Sequence, residues 1–168
     1  MKTTRLIAAS AFALAAGLAA PAFAADAAGA NAKVAISKAI EAAETKGAGK
    51  ATEAEFDDDN GGRWEVKVLA DGGNKLTTYF VDPNSGEVTG QEEQTFEKYF
   101  TTLKPEDFSK AQTQLKDAIA AAESLAKGKA IGAEVEREGD SVAYEIDVAT
   151  ADGKKDVNVD AAGKAVAD

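Results

Sequence analysis

The chain has no cysteine and no histidine, and only one tryptophan, one methionine and three prolines in 168 residues. Without cysteine no disulfide can staple the fold, so stability must come from packing, and attachment of a lipid through cysteine is closed. Without histidine there is no Ser-His-Asp or Cys-His nucleophile system, no HExxH zinc site and no ordinary switch near neutral pH. Paired carboxylates could still catalyse, but one of them would need a desolvated site. The acidic residues here fall at turns and outward strand positions, which argues for a protein that is not an enzyme. Positive charge is scarce too: 19 Lys and Arg stand against 29 Asp and Glu, a net charge of −10. Such a surface repels phosphate backbones and anionic lipid, which excludes nucleic acid and membrane surfaces as leading partners.

The one long apolar run lies at the N-terminus. Lys2 and Arg5 precede Leu6 to Leu18, Pro21 interrupts, and Ala22-Phe23-Ala24 places small residues where a signal peptidase reads. The run is shorter than the roughly 20 residues a membrane span needs. The expectation is a signal peptide over residues 1–24, cleavage after Ala24, and a periplasmic protein, or a secreted one if the source has a single membrane. No membrane anchor would remain. Removal of Lys2 and Arg5 leaves 17 basic against 29 acidic residues, a net charge of −12. Residues 25–32 are small and featureless and read as a disordered spacer.

Beyond the spacer the chain repeats itself. An Ala-rich helical pattern, Gly-Lys-Ala, an alternating strand pattern, Asp-Gly and a second Val-Asp turn occur twice. The displacement between the copies stays close to 80, being 79 at Glu44 and Glu123, 80 at Trp64 and Tyr144, 81 at Asp71 and Asp152 and 78 at Val81 and Val159, so they differ by short insertions. In the first copy Ile36, Ile40 and Ala43 recur at helical spacing and Gly47 and Gly49 end the helix. Ala51 to Asp57, Arg63 to Val68 and Lys75 to Val81 read as strands of a meander. The second copy predicts a longer helix from Pro105, with a stripe of Phe108, Ala111, Leu115, Ala118, Ile119, Ala122 and Leu125 up to Gly128. Its strands read as Ile131 to Glu136, Ala143 to Val148 and Lys155 to Asp160.

The expected fold class is therefore α+β: two tandem modules over residues 33–90 and 105–168, each a helix packed on a three-stranded antiparallel sheet. Each is close to the lower size limit for an adequate core, which makes contact between them plausible. Residues 91–104 read as a linker helix, because Phe96, Tyr99, Phe100 and Leu103 fall at spacings of 0, 3, 4 and 7. If Val81 faces the helix, so does Tyr79, and Leu76, Thr78 and Phe80 lie on the open face. The aromatic stripe is the nearest candidate to cover that face. Leu76, Phe80, Phe96, Tyr99, Phe100 and Leu103 are accordingly the candidate partner-binding residues.

The helices AIEAAE and AIAAAE, the two GKA segments, the strands WEVKV and YEIDV, the Asp-Gly turns and the ending VDPNSGEV together resemble the PepSY family. The resemblance covers both halves of the chain after the leader. PepSY modules occur in propeptides of thermolysin-type zinc peptidases and as free-standing exported proteins. It therefore implies a protein partner, a peptidase that is bound or inhibited, and it brings no catalytic residue with it. The expectation is the free-standing kind, with no attached peptidase.

Other features have plain readings. Trp64 and Tyr144 sit at equivalent inward positions and read as core anchors. Asp57-Asp58-Asp59-Asn60-Gly61 looks like a calcium loop, but Val68 stands where the bidentate Glu belongs, so it reads as a solvated hairpin turn. The turn at Asp82 to Gly86 fails in the same way. Lys46, Lys50, Lys127 and Lys129 flank helix C-termini, where they complement the dipole. No cofactor and no metal site are expected. Glu53, Glu55, Glu134, Glu136, Glu145 and Asp147 give both sheets an acidic open face, which serves solubility, steers a basic partner or gathers divalent cations. The alternative to a protein-binding module is thus an acidic cation-responsive or cation-buffering protein. A hydrolase using two carboxylates comes third.

Overall fold

The computed structural model describes residues 27–95 and 103–167. The segment expected to be a leader, together with Phe96, Tyr99 and Phe100, lies outside them. The protein is α+β, and its strands form one antiparallel sheet in the order β4-β3-β2-β1-β5-β6-β7-β8. The first module holds α1 (Ile36–Gly47), β1 (Lys50–Asp57), β2 (Arg63–Ala70), β3 (Lys75–Val81) and β4 (Val88–Glu93). The second holds α2 (Pro105–Lys110), α3 (Leu115–Ala126), β5 (Lys129–Glu138), β6 (Ser141–Thr150), β7 (Gly153–Val159) and β8 (Ala165–Ala167).

Each helix buries the face its spacing predicts, Ile36, Ala39, Ile40 and Ala43 on α1 and Leu115, Ala118, Ile119 and Ala122 on α3. The small alanines let both helices lie close to the sheet, over Trp64, Val66 and Val68 in one module and Tyr144, Ile146 and Val148 in the other. One continuous core joins the two. Leu125, assigned above to the stripe, is 46% exposed, because Ala126 takes the inward place.

The repeated motifs are repeated devices. The last Glu of each Ala-rich motif accepts a hydrogen bond from the backbone at the start of the following strand, Ala51 N–H to Glu44 Oε1 and Ala130 N–H to Glu123 Oε1, both 3.0 Å. The glycine of GKA lies against the neighbouring strand: an added Cβ at Gly49 or Gly128 would come within 2.4 Å of the Leu69 carbonyl or 2.2 Å of the Ala149 carbonyl. Trp64 Nε1–H donates to the Val34 carbonyl at 2.8 Å, and the Tyr144 hydroxyl donates to that of Thr113. Asp82 and Asp160 each accept two backbone N–H bonds through Oδ1 and shape the turn before the fourth strand.

Five expectations are corrected. Each module has four strands rather than three, because VDPNSGEV and VDAAGKAV turn back and start β4 and β8. The sheets are not separate, since β1 and β5 pair with each other. The second helix is broken between Lys110 and Leu115. There the Thr113 N–H donates to the Ala161 carbonyl at 3.1 Å, as Val34 does to Pro83 at 2.9 Å, and that tie requires non-helical backbone. The linker helix over residues 91–104 does not hold where it can be seen: Gln91 to Glu93 belong to β4, and Leu103 and Lys104 are not helical. The spacer also contains structure, because residues 27–30 make a helical turn whose buried Gly29 fits closely against Phe56 and Ile131.

Candidate functional site

The two copies meet at a local two-fold relation. In the β1–β5 pairing Ala54 stands opposite Ala133, its own counterpart, with Glu53 opposite Glu134 and Glu55 opposite Gly132. Ala54 and Ala133 face the helices and are buried. On the open side, Glu53, Glu55, Glu134, Glu145 and Asp147 surround a shallow hollow of about 100 Å³. Lys67 pairs with Glu53 at 2.9 Å, and Lys154 with Asp147 at 3.0 Å and Asp156 at 3.2 Å. Carboxylates outnumber cations here, and the register forces like charges opposite one another.

Desolvation by burial, then repulsion from Glu53 and Glu65, pushes the Glu55 carboxyl above its ordinary 4.5. The same first cause, then Glu53, Glu136 and Glu145, raises Glu134, and burial raises Asp147. Elsewhere the direction reverses. Hydrogen bonds from Lys38 and Lys116 hold Glu41 down at about 2, and backbone N–H bonds from Ser85 and Asn84 lower Asp82. Groups raised on folding contribute stability that is present below their unfolded values and lost as pH rises through the raised values. Groups lowered on folding contribute stability that is lost only as pH falls below their unfolded values. The melting temperature should therefore rise as pH falls from neutrality toward the ordinary carboxylate range, where the raised groups are protonated in both states, and fall below about pH 4, where the lowered groups lose their advantage. Thermal melts across this range check it: Glu55→Gln with Glu134→Gln should flatten the upper limb, and a parent that is most stable at pH 7 would refute the assignment.

The candidate partner-binding residues do not form one described surface. Leu76 is 5% exposed and faces Leu69, also 5%, on the side of the sheet away from α1. Phe80 lies on that same side, half-buried, with the Arg63 guanidinium 4.2 Å from its ring centre. Leu103 is half-buried and packs against the common core. Val81 and Tyr79 face the helix, opposite Trp64 and Val66.

The Asp57, Asp58 and Asp59 carboxylates lie within 4.8 Å of one another at the β1–β2 turn. Asp57 accepts the Asp59 N–H at 3.0 Å and pairs with Arg63 at 3.2 Å.

That each module offers a sheet edge to an extended strand was expected from the sequence; which strands form the open edges was not. Pairing of β1 with β5 uses the inner edges of both modules, so β4 and β8 are the outer strands. β8 has three residues and β4 has six. Val-Thr-Gly-Gln-Glu-Glu is too polar to read as a strand; the only hint was the recurrence of VDPNSGEV as VDAAGKAV.

The PepSY_2 family model, described as peptidase propeptide and YPEB domain, matches residues 8–92, and the PepSY model of the same description matches residues 115–167. No curated protein matches significantly. Among solved structures, a candidate lipoprotein from Clostridium difficile 630 is similar at 19% identity, with a TM-score of 0.46 over 80% of this chain and 91% of that one. Two successive matches, each falling on one helix-and-meander copy, settle the assignment: the chain belongs to the PepSY family, with a tandem repeat of its module.

Proposed function

We propose that the chain is an exported, non-catalytic module that restrains a peptidase of its own compartment by protein–protein binding. The single observation that carries this is β4, an exposed six-residue edge strand in a chain whose family is described by peptidase propeptides. An edge strand can accept an extended segment of another protein through main-chain hydrogen bonds. The excess of carboxylates steers a basic partner toward it and makes association weaken as salt rises. Among the described residues no helix is long and apolar enough to cross a membrane. The leader over residues 1–24 supports export to the periplasm, or to the medium from a single-membrane source.

Titration against secreted zinc and serine peptidases at low and moderate ionic strength tests this. The expected result is stoichiometric inhibition that weakens with salt and no turnover by the protein itself. The cation-responsive alternative draws on Asp57, Asp58 and Asp59. A large rise in melting temperature with millimolar calcium, without inhibition of any peptidase, would favour it, since a ligand of the native state stabilises by mass action. Hydrolysis lost on replacing one carboxylate would overturn both readings.

A further inference from the structure

We propose that the outer edge of β4 is the docking surface, and that it takes an extended partner segment with an apolar residue against Phe80 and a Lys or Arg beside Glu92. This rests on the binding-module reading above and specifies its surface and its partner's chemistry.

The hydrogen-bonding pattern gives the polarity of the edge. The Gln94 N–H donates to the Leu76 carbonyl at 2.9 Å, and the pairing continues with Glu92 opposite Thr78 and Gly90 opposite Phe80. Alternate residues of an antiparallel strand direct their backbone groups to opposite sides. Gly90 and Glu92 thus bond to β3, while Gln91 directs both N–H and C=O outward and Glu93 its N–H, the Glu93 carbonyl accepting the Thr95 N–H at 3.2 Å. Among the described residues no strand stands beyond β4, and Gln91, Glu92 and Glu93 are exposed.

The side chains supply the selectivity. On the open face Gly90 presents no side chain, and the Phe80 ring leans against it: an added Cβ would come within 3.1 Å of Cδ2. A docked strand with an apolar residue at this level would cover a ring that is now half-exposed under Arg63. Two residues further along, Glu92 lies on the same face and Glu93 on the helix side, so the docked strand meets a carboxylate on each of its faces. Residues 82–95 contain Asp82, Glu87, Glu92 and Glu93 and no Lys or Arg. A basic segment is complementary to that stretch. A second copy of this chain would bring the same four carboxylates and a net charge of −10 to the contact.

The test uses the exported protein and two capped peptides, Thr-Lys-Lys-Thr-Val-Thr-Val and its counterpart with Glu-Glu for Lys-Lys, followed by NMR. The lysine peptide should shift and protect the Gln91 and Glu93 amides, and the glutamate peptide should bind at least tenfold more weakly. Gln91→Pro removes an outward N–H and leaves the β3 ladder intact; it should cost tenfold in peptide affinity with the melting temperature unchanged. Should that variant unfold, Glu92→Lys decides, because it should reverse the preference between the peptides. Equal binding of both peptides, no binding at millimolar concentration, or protection confined to other strands would overturn the proposal. Protection of Gln91 and Glu93 that grows with protein concentration alone would also overturn it, in favour of a second copy. Peptidase inhibition untouched by both variants would overturn the edge and leave the inhibitor reading standing. Peptide docking at β4 without inhibition of any peptidase would support the edge and remove that reading.

Discussion

Ala54→Asp is expected to destabilise both modules together, by roughly 4 kcal/mol or more. Ala54 is fully buried where β1 meets β5, beneath the helices and opposite its counterpart Ala133. An aspartate there would need either an ionised carboxylate without a partner or a neutral one forced into a closely packed site, and both are expensive. For a chain of this size such a loss lowers the melting temperature by about 10 °C or more. The sheet and the core are continuous across the seam, so damage at one point should spread. Trp64 is the only tryptophan and reports on the first module alone, whereas far-ultraviolet circular dichroism reports on both. The two signals should move together in the parent and in the variant. Ala133→Asp should have the same effect, given the local two-fold relation. Two separate transitions in the parent, or a loss below about 1 kcal/mol, would mean that the modules are merely adjacent.

Trp64→Ala should cost about 3 to 5 kcal/mol. The indole has no exposed surface, meets Phe56 edge-on with ring centres 5.0 Å apart, and donates Nε1–H to the Val34 carbonyl. Alanine would leave a cavity under α1 and free the segment before that helix. Trp64→Phe should retain most of the packing and lose only the hydrogen bond, at about 1 kcal/mol. Denaturant unfolding of both variants, followed by circular dichroism, separates these contributions. Equal losses would assign the anchoring entirely to the hydrogen bond. A near-neutral Trp64→Ala would show that residues before Ile36 are held by other contacts.

The helix faces, the inward strand rows and the turns were legible in the chain because each depends on neighbours a few residues away. Ile36, Ile40 and Ala43 have the period of a helix, Trp64, Val66 and Val68 that of a strand, and Asp82 and Asp160 build their turns by accepting backbone N–H bonds from residues two to four positions on. The duplication was legible for the same reason, since each copy repeats its local devices. The candidate partner-binding residues fared less well. Leu76 and Phe80 were placed correctly on the open face, yet the sequence did not reveal that Arg63 covers Phe80 or that β4 lies beside it.

Tertiary structure decided what no local pattern encodes. Phe108 to Leu125 has an almost continuous helical period, but Thr113 must reach the Ala161 carbonyl and Tyr144 must reach that of Thr113, so the helix breaks. Val88 to Glu93 is too polar to declare itself a strand and becomes one because the Asp82 turn lays it against β3. The pairing of β1 with β5 joins residues about 80 positions apart, and Ala54 and Ala133 look like any other small strand residues until the two helices cover them. That long-range pairing removed the inner edges, gathered Glu53, Glu55, Glu134, Glu145 and Asp147 at the seam, and left β4 as the long open edge. The sequence by itself determined the repeated module, because its instructions are local; the union of the modules, and with it the surface left for a partner, was set by burial and strand pairing across the whole chain.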